Sequence, residues 1–211
     1  MKPVLNGPFL AGVLAEAGIA LPEGGVEKLA IHAAELSRWN RAIRLTAITD
    51  PAEVAAKHVL DSLFLLKFAP YPGRTLDAGS GAGYPGIPLA VALPASRIVL
   101  LDATAKKCAF LSHVCARLVL GNATVVRGRI AKGPPLPIGR FEQVISRATF
   151  PPPEALRLLP AYLALGGRLL LMTGPERETG EPPPGLRPGR RLRFELPFGM
   201  GAREIREFLA D

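Results

Sequence analysis

The segment Leu76-Asp77-Ala78-Gly79-Ser80-Gly81-Ala82-Gly83-Tyr84-Pro85-Gly86 begins in a short apolar run and leads into a second apolar stretch. This pattern predicts a buried strand, a glycine loop and a helix. Gly81, Gly83 and Gly86 form a GxGxxG spacing, and Asp102 follows about 20 residues later, at the end of the next predicted strand. The arrangement is typical of a nucleotide-binding βαβ unit.

Short strands and helices alternate on the carboxyl side of this loop. The hydrophobic pattern predicts strands at 97–101, 123–126, 143–146 and 168–172, and helices over 106–120 and 153–163. A loop rich in proline and glycine follows at 174–189, and then a final antiparallel pair at 191–196 and 204–209. We therefore expect a doubly wound α/β fold with a mostly parallel seven-stranded sheet.

The first third of the chain has a different hydrophobic pattern. Residues 8–67 carry apolar side chains at helical spacing, and Asp50-Pro51 with Glu53 has the form of a helix start. We expect residues 1–70 to be an N-terminal helical extension packed on a core formed by residues 71–211.

Two features of the glycine loop indicate which nucleotide cofactor it binds. A carboxylate at Asp77 would repel a pyrophosphate, but it would favour the sulfonium and amino groups of S-adenosylmethionine. Pro85 and Pro88 remove amide donors that a phosphate would use at the start of the helix. Gly79 and Gly81 would let the backbone approach the methionine part of the cofactor, and Asp102 would accept hydrogen bonds from the ribose. The expected fold is thus the Rossmann-like class I S-adenosylmethionine-dependent methyltransferase fold.

Two other functions remain compatible with the same loop. GxGxxG is also the fingerprint of an NAD-dependent oxidoreductase, and tight NADH binding would favour that alternative. The third alternative is a non-catalytic RNA-binding protein that has kept the fold.

The charge distribution suits either a nucleic-acid partner or a solvated basic helix face. The chain of 211 residues carries 26 basic and 18 acidic side chains, a net charge of +8. Residues 1–96 are neutral, with eight of each sign, whereas residues 97–147 hold nine basic and two acidic side chains. A soluble protein with such a basic region is suited to a polyanion.

Several classes of protein are disfavoured. No apolar run approaches the roughly 20 residues that a membrane-spanning helix needs. Cys108 and Cys115 lie seven residues apart in a predicted helix, about 10 Å along its axis, and are expected to be reduced thiols of a cytoplasmic protein. No metal-ligand spacing is present, so we expect no metal site, and we expect a monomer.

The residues after the fourth predicted strand bear on the methylated atom. An Asn/Asp-Pro-Pro-aromatic tetrad would indicate an exocyclic amine, but this chain has Ile145-Ser146-Arg147-Ala148. Neither cysteine follows a proline, so a Pro-Cys nucleophile for pyrimidine carbon is also missing. Guanine N7 fits this pattern, because its lone pair is free without deprotonation and only in-line positioning is needed. We therefore identify no acid or base catalyst.

At this point the sequence resembles the bacterial glucose-inhibited division protein B family, the small-subunit (16S) ribosomal RNA guanine-N7 methyltransferases. The residues that carry the resemblance are Arg38-Trp39-Asn40, Leu45-Thr46, Asp50-Pro51, His58-Val59-Leu60-Asp61-Ser62, 77–89, Leu101-Asp102, Lys106-Lys107, Phe110-Leu111 and 144–148. Together they span more than half of the chain.

The resemblance implies a cofactor site at Gly79, Tyr84, Ile130, Ala131 and Arg147. The implied substrate is 16S ribosomal RNA or an assembling small subunit. Two positions depart from the family pattern: Ala131 replaces an acid that could hold the adenine amino group, and Thr173-Gly174 replaces a lysine-glycine pair.

Four basic side chains around the predicted site are expected to contact RNA. Lys106, Lys107 and Arg129 would bind phosphates at its rim, and Arg147 would lie at the cofactor or the guanine edge. His58 and Asp61 are more simply explained as packing or positioning residues.

Overall fold

The computed structural model describes residues 5–70, 73–174 and 180–211. Its helices are α1 (Gly7–Glu16), α2 (Gly25–Asn40), α3 (Pro51–Glu53), α4 (Asp61–Leu63), α5 (Gly86–Ala92), α6 (Ala105–Arg117) and α7 (Pro152–Leu158). A π-helical segment (Val54–Leu60) joins α3 to α4, and 3₁₀ segments follow α4 (Phe64–Phe68) and α7 (Leu159–Tyr162). The strands are β1 (Arg74–Ala78), β2 (Arg97–Asp102), β3 (Ala123–Arg127), β4 (Phe141–Arg147), β5 (Leu163–Thr173), β6 (Leu186–Glu195) and β7 (Ala202–Ala210).

The strands form one seven-stranded sheet in the order β3-β2-β1-β4-β5-β7-β6. Strands β1 to β5 pair in parallel, and β7 runs antiparallel to both β5 and β6. The expected mostly parallel seven-stranded sheet is confirmed. Successive crossovers reverse direction between β1 and β4, so the carboxyl ends of these two strands flank the crevice where ligands bind in such sheets.

The structure corrects several predicted boundaries. β5 begins at Leu163 instead of residue 168, and β6 begins at Leu186, inside the predicted loop 174–189. Residues 175–179 of that loop lie outside the described residues. The helix predicted over 106–120 ends at Arg117, and the one predicted over 153–163 passes into a 3₁₀ turn after Leu158. The two strands were predicted too short because glycine, proline and arginine interrupt the apolar pattern where the backbone pairing continues. The two helices were predicted too long because apolar residues continue beyond the last helical turn.

The N-terminal helices pack on one face of the sheet. Leu10, Leu29 and Leu63 belong to the same hydrophobic cluster as Ile145 and Leu170 of the central strands. Asp50 caps α3 through hydrogen bonds from the Ala52 and Glu53 amides, as the sequence predicts. Among the described residues, no helix is both long enough and apolar enough to cross a membrane.

Glycine at position 86 is required by packing. A Cβ at Gly86 would overlap the Leu100 side chain and come within 2.6 Å of Asp77 Oδ2. Because both neighbours are buried and belong to central strands, neither can retreat without disturbing the sheet. The last glycine of the fingerprint therefore sets how closely α5 approaches β1 and β2.

We expect Gly86→Ala to lower the free energy of unfolding by about 1–3 kcal/mol, the usual cost of overpacking. Gly12→Ala is the matched control: Gly12 lies in α1, and a Cβ there meets nothing within 4 Å, so this variant should be neutral or more stable. Urea denaturation followed by circular dichroism measures both. Equal stability of the two variants would contradict the packing argument.

Candidate functional site

Two adjacent cavities open at the carboxyl edge of the sheet. The first, here called the nucleoside cavity, is lined by Gly79, Leu101, Asp102, Ala103, Thr104, Gly128, Arg129, Ile130, Thr149 and Phe150. The second, the acceptor cavity, is lined by Ile48, Lys57, His58, Asp61, Arg147, Ala148, Phe150, Pro152, Met172, Thr173, Gly174 and Arg203. Phe150 borders both, so the turn after β4 forms the wall between them.

Asp77 lies beneath the glycine loop. Its side chain is buried, and its Oδ2 accepts a hydrogen bond of 3.0 Å from the Gly86 amide at the start of α5. Its Oδ1 has no partner among the described residues. Burial raises the pKa of this carboxyl group to about 6, although the hydrogen bond from Gly86 opposes the shift. A cationic ligand above the loop would stabilise the ionised form.

The first turn of α5 has no amide left for a phosphate. Pro85 and Pro88 lack an N–H group, Gly86 donates to Asp77, and Ile87 donates to the Gly83 carbonyl at 2.8 Å. Within residues 85–88 every backbone donor is therefore absent or already bonded. Residues 85–88 therefore offer no free backbone donor to an anion at this helix terminus.

Asp102 anchors the loop and faces the nucleoside cavity. Its Oδ2 accepts from the Gly81 amide at 3.0 Å and its Oδ1 from the Thr104 amide at 2.8 Å. A carboxylate has about four acceptor positions, so two remain for the hydroxyls of a ribose. Lys107 Nζ lies 4.0 Å from Oδ2 and supplies a counter-charge at the rim.

Gly79 makes the cavity possible. Its φ is +83°, and a Cβ there would overlap the Thr149 side chain, whose hydroxyl donates to the Gly79 carbonyl at 3.2 Å. The glycine loop and the turn after β4 are thus in direct contact, and a side chain at residue 79 would separate them.

Tyr84 is buried in an aromatic stack. Its ring lies between His32, with centroids 4.5 Å apart, and His58, with centroids 4.6 Å apart. His32 Nε2–H donates to the Ala82 carbonyl at 2.9 Å, which ties the glycine loop to α2. The Tyr84 hydroxyl is buried and has no partner among the described residues. The stack connects the loop to the acceptor cavity.

Arg147 joins the end of β4 to the N-terminal helices. Its Nη1 donates to the Lys57 carbonyl at 2.8 Å and to Asp61 Oδ2 at 3.2 Å, and its Nη2 donates to His58 Nδ1 at 3.4 Å. The Lys57 carbonyl can accept because the Asp61 amide bonds to the carbonyls of Ala56 and His58 instead, as the π-helical geometry dictates. Two of the five guanidinium donors of Arg147 have no partner in the described ranges and remain for a ligand.

His58 is held neutral. Arginine can only donate, so Nδ1 is the acceptor, and Nε2–H then donates to Thr46 Oγ1 at 3.0 Å. Burial, and secondly the charge of Arg147, lower the pKa of His58 to about 3. Both ring nitrogens are engaged, so this histidine positions its neighbours and has no free lone pair to accept a proton.

The structure brings together most of the predicted site residues. Gly79, Asp102, Ile130 and Arg129 line the nucleoside cavity, and Arg147 lines the acceptor cavity. Asp77 and Tyr84 contact the loop from below, and Gly81, within the loop, donates its amide to Asp102.

Two predicted residues lie away from the cavities. Ala131 is exposed and borders a separate depression beside α7. Lys106 is exposed on α6 and lines neither cavity, whereas its neighbour Lys107 reaches Asp102. A helix turns about 100° per residue, so adjacent lysines cannot both face one rim.

Sequence reasoning missed several residues that line the cavities. Thr149 and Phe150 follow Arg147 in the turn whose backbone is reversed by Ala148 at φ +54°. Arg203 comes from the distant β7 and Lys57 from the π-helical segment. These residues belong to no local motif, and only the sheet order places them together. The signal that was available for Thr149 and Phe150 was their position just after a strand end.

The comparisons with known proteins agree with this geometry. The family model for rRNA small subunit methyltransferase G (GidB) matches residues 25–180. The chain belongs to this family. It is 41% identical to the ribosomal RNA small subunit methyltransferase G of Anaeromyxobacter sp. (strain Fw109-5), over all of both chains. It is 39% identical to the protein of the same name from Myxococcus xanthus, over 84% of each chain.

Solved structures with the same fold are more distant in sequence than these members of the rRNA small subunit methyltransferase G family. A SAM dependent methyltransferase from Aquifex aeolicus superposes with a TM-score of 0.57 at 17% identity, covering 84% of this chain and 98% of that one. An rRNA methylase from Streptococcus thermophilus gives a TM-score of 0.51 at 15% identity, covering 72% and 94%. The Rossmann-like class I methyltransferase fold is thereby confirmed.

The buried His32 makes a pH-dependent contribution to stability. Burial lowers its pKa from 6.5 to about 4, so below pH 6.5 the unfolded chain takes up a proton that the folded chain does not. The contribution of the neutral imidazole is present above pH 6.5 and is lost as the pH falls towards 4. We expect the stability advantage of wild type over His32→Gln to shrink by about 1.4 kcal/mol per pH unit in this window.

Urea denaturation of both proteins between pH 8 and pH 4.5 measures this difference. Glutamine does not titrate, so charges elsewhere in the chain cancel in the comparison. A difference that is constant with pH would contradict a depressed pKa at His32.

Proposed function

We propose that the chain transfers a methyl group from S-adenosylmethionine to N7 of a guanine in 16S ribosomal RNA, as a cytoplasmic monomer. The observation that carries the proposal is the pair of cavities that meet at Phe150, at the switch point of a methyltransferase fold. One cavity suits a nucleoside and the other suits a base. The names of the relatives in the family support an RNA substrate of the small ribosomal subunit.

The residues around the nucleoside cavity fit S-adenosylmethionine. Asp102 would hold the ribose hydroxyls, Gly79 and Gly81 would admit the methionine part, and Ile130 would pack on the adenine. The buried Asp77, with one carboxylate oxygen lacking a partner among the described residues, provides negative charge beneath the loop for the ammonium and sulfonium groups. When bound, this cofactor supplies an electrophilic methyl group.

The first turn of α5 argues against the NAD-dependent alternative. A diphosphate needs backbone donors at that terminus, and residues 85–88 offer none. It would also lie above the buried charge of Asp77. Recognition of the ribose by the Asp102 carboxylate is shared by both cofactors and does not discriminate between them.

The acceptor cavity suits a guanine presented for attack through N7. The free donors of Arg147 can bind guanine O6, which leaves the adjacent N7 lone pair for the methyl group. Methylation at N7 adds a positive charge to the base, and the Asp61 carboxyl group, which already pairs with Arg147, lines the same cavity. The reaction releases no proton from N7, so the absence of a free base at His58 is consistent with it.

Cofactor specificity is tested by isothermal titration with S-adenosylmethionine and with NADH. We expect binding of the first alone. Asp102→Ala should weaken it about 10–100-fold, because hydrogen bonds to a charged group are worth about 1.5–3 kcal/mol. Asp211→Ala, at an exposed carboxylate far along the chain, is the control and should bind as wild type does. Binding of NADH without S-adenosylmethionine would overturn the assignment.

The methyl acceptor is tested with methyl-labelled S-adenosylmethionine and small-subunit RNA that lacks the modification, supplied either naked or as an assembled particle. Digestion and mass spectrometry should identify 7-methylguanosine. Label that appears only in protein, or in another methylated nucleoside, would refute the proposal.

The absence of a base predicts a flat pH profile. We expect the single-turnover rate constant to change less than about twofold between pH 7 and pH 9, because N7 needs no deprotonation and His58 stays neutral throughout. A tenfold rise per pH unit would instead show that a proton is removed in the rate-limiting step.

A further inference from the structure

The edge of the sheet carries a second group of charges that neither cavity includes. Glu204 on β7 is completely buried, and it is surrounded by three arginines: Arg191 and Arg193 on β6 and Arg206 on β7. We call these four residues the arginine cluster. Arg191 Nη2 and Arg193 Nε each lie 2.6 Å from Oε2 of Glu204, and Arg206 donates to Oε1 of the same carboxylate.

The cluster holds positive charge at the surface. The carboxylate has no exposed area, whereas Arg191 and Arg193 are 48% and 59% exposed. Burial alone would raise the pKa of Glu204, but hydrogen bonds from the three arginines outweigh it and lower the pKa to about 2. Three cations and one carboxylate leave a net charge of +2, and the outward-facing guanidinium edges are already oriented by the buried anion.

The cluster lies next to the acceptor cavity. Thr173, which lines that cavity, pairs with Glu204 across β5 and β7, and Glu204 pairs in turn with Arg193 across β7 and β6. Neighbouring strands are about 4.8 Å apart, so the Arg193 backbone is about 10 Å from that of Thr173. Arg203, whose side chain projects from the opposite face of β7, lines the cavity itself.

We propose that the arginine cluster binds the phosphate backbone of the substrate RNA and docks it beside the acceptor cavity. This inference rests on the proposed function for the identity of the RNA. Guanidinium groups bind phosphate oxygens in a bidentate manner, and a buried carboxylate that fixes them lowers the conformational entropy lost on binding. Glu204 acts as a positioning residue in this arrangement.

The test compares RNA binding by wild type and by the double variant Arg191→Gln/Arg193→Gln. The probe is deproteinised small-subunit RNA, and dissociation constants are measured between about 50 and 500 mM salt, a tenfold range of ionic strength. We expect the variant to bind at least about tenfold more weakly and the slope of log Kd against log salt to fall by about 1.4–1.8, for two lost phosphate contacts. Binding of S-adenosylmethionine should be unchanged.

The matched control is Arg97→Gln/Arg117→Gln. Both arginines are exposed but lie at the amino-terminal side of the sheet, at the start of β2 and the end of α6. This variant removes the same charge from the molecule and should change the salt slope much less. An equal loss in both double variants would mean that only net charge matters, and it would overturn the docking site.

A purely structural role for the cluster is distinguished by a milder change. Arg193→Gln keeps the ion pairs of Arg191 and Arg206 with Glu204, so this variant should fold even if the double variant is destabilised. We expect it to lower the salt slope by about half as much as the double variant. A wild-type slope in folded Arg193→Gln protein would refute the proposal.

The docking site and the proposed function fail in different ways. If wild type methylates RNA and the cluster variants bind and methylate as wild type does, the docking site is wrong. If wild type binds RNA through the cluster but transfers no methyl group to it, the docking site stands and the proposed reaction is wrong.

Discussion

The hydrogen bond between the buried Asp77 carboxylate and the Gly86 amide underlies the whole site. It fixes the end of β1 to the start of α5, and so determines the path of the glycine loop between them. It also uses the donor that a phosphate would need at this helix terminus. The same contact therefore builds the loop and restricts the ligands that the loop can hold. Because Gly86 cannot carry a side chain, helix and strand are held at a single separation.

A second set of contacts connects this loop to the N-terminal helices. His32 bonds to the Ala82 carbonyl, Tyr84 stacks between two histidines, and Arg147 bonds to the π-helical segment. All three link parts of the chain that are distant in sequence. The helices that precede the sheet thus complete the acceptor cavity, since Lys57, His58 and Asp61 form one of its walls.

The sheet and the nucleoside cavity could be predicted from sequence because they depend on local signals. Apolar runs define the parallel strands, and the glycine spacing together with Asp102 marks the first βα turn. The sequence indicates only part of the role of Asp77. The sequence predicts that its charge faces a ligand, whereas in the structure Oδ2 accepts a hydrogen bond from the Gly86 amide, a contact that a sequence pattern cannot reveal.

Contacts between distant parts of the chain explain why the sequence does not predict the acceptor cavity. The acceptor cavity combines residues from the N-terminal helices, β4, β5 and β7, so no motif contains it. Charge counting also failed at the carboxyl end. Residues 148–211 hold nine basic and eight acidic side chains and look balanced, but the structure buries Glu204 and Glu207 while arginines bonded to them reach the surface. The separation of buried carboxylates from exposed guanidinium groups is therefore visible only in the folded chain.

The π-helical turn has a consequence for changes in chain length. Such a turn accommodates one residue more than an α-helix does over the same rise. Removal of a residue between Val54 and Leu60 would therefore give a more regular helix whose two ends stay nearly in phase. The loss would fall on the wall of the acceptor cavity, because this segment supplies the Lys57 carbonyl and the His58 ring that bond to Arg147. The additional residue thus serves the contacts with Arg147 and leaves the course of the helix unchanged.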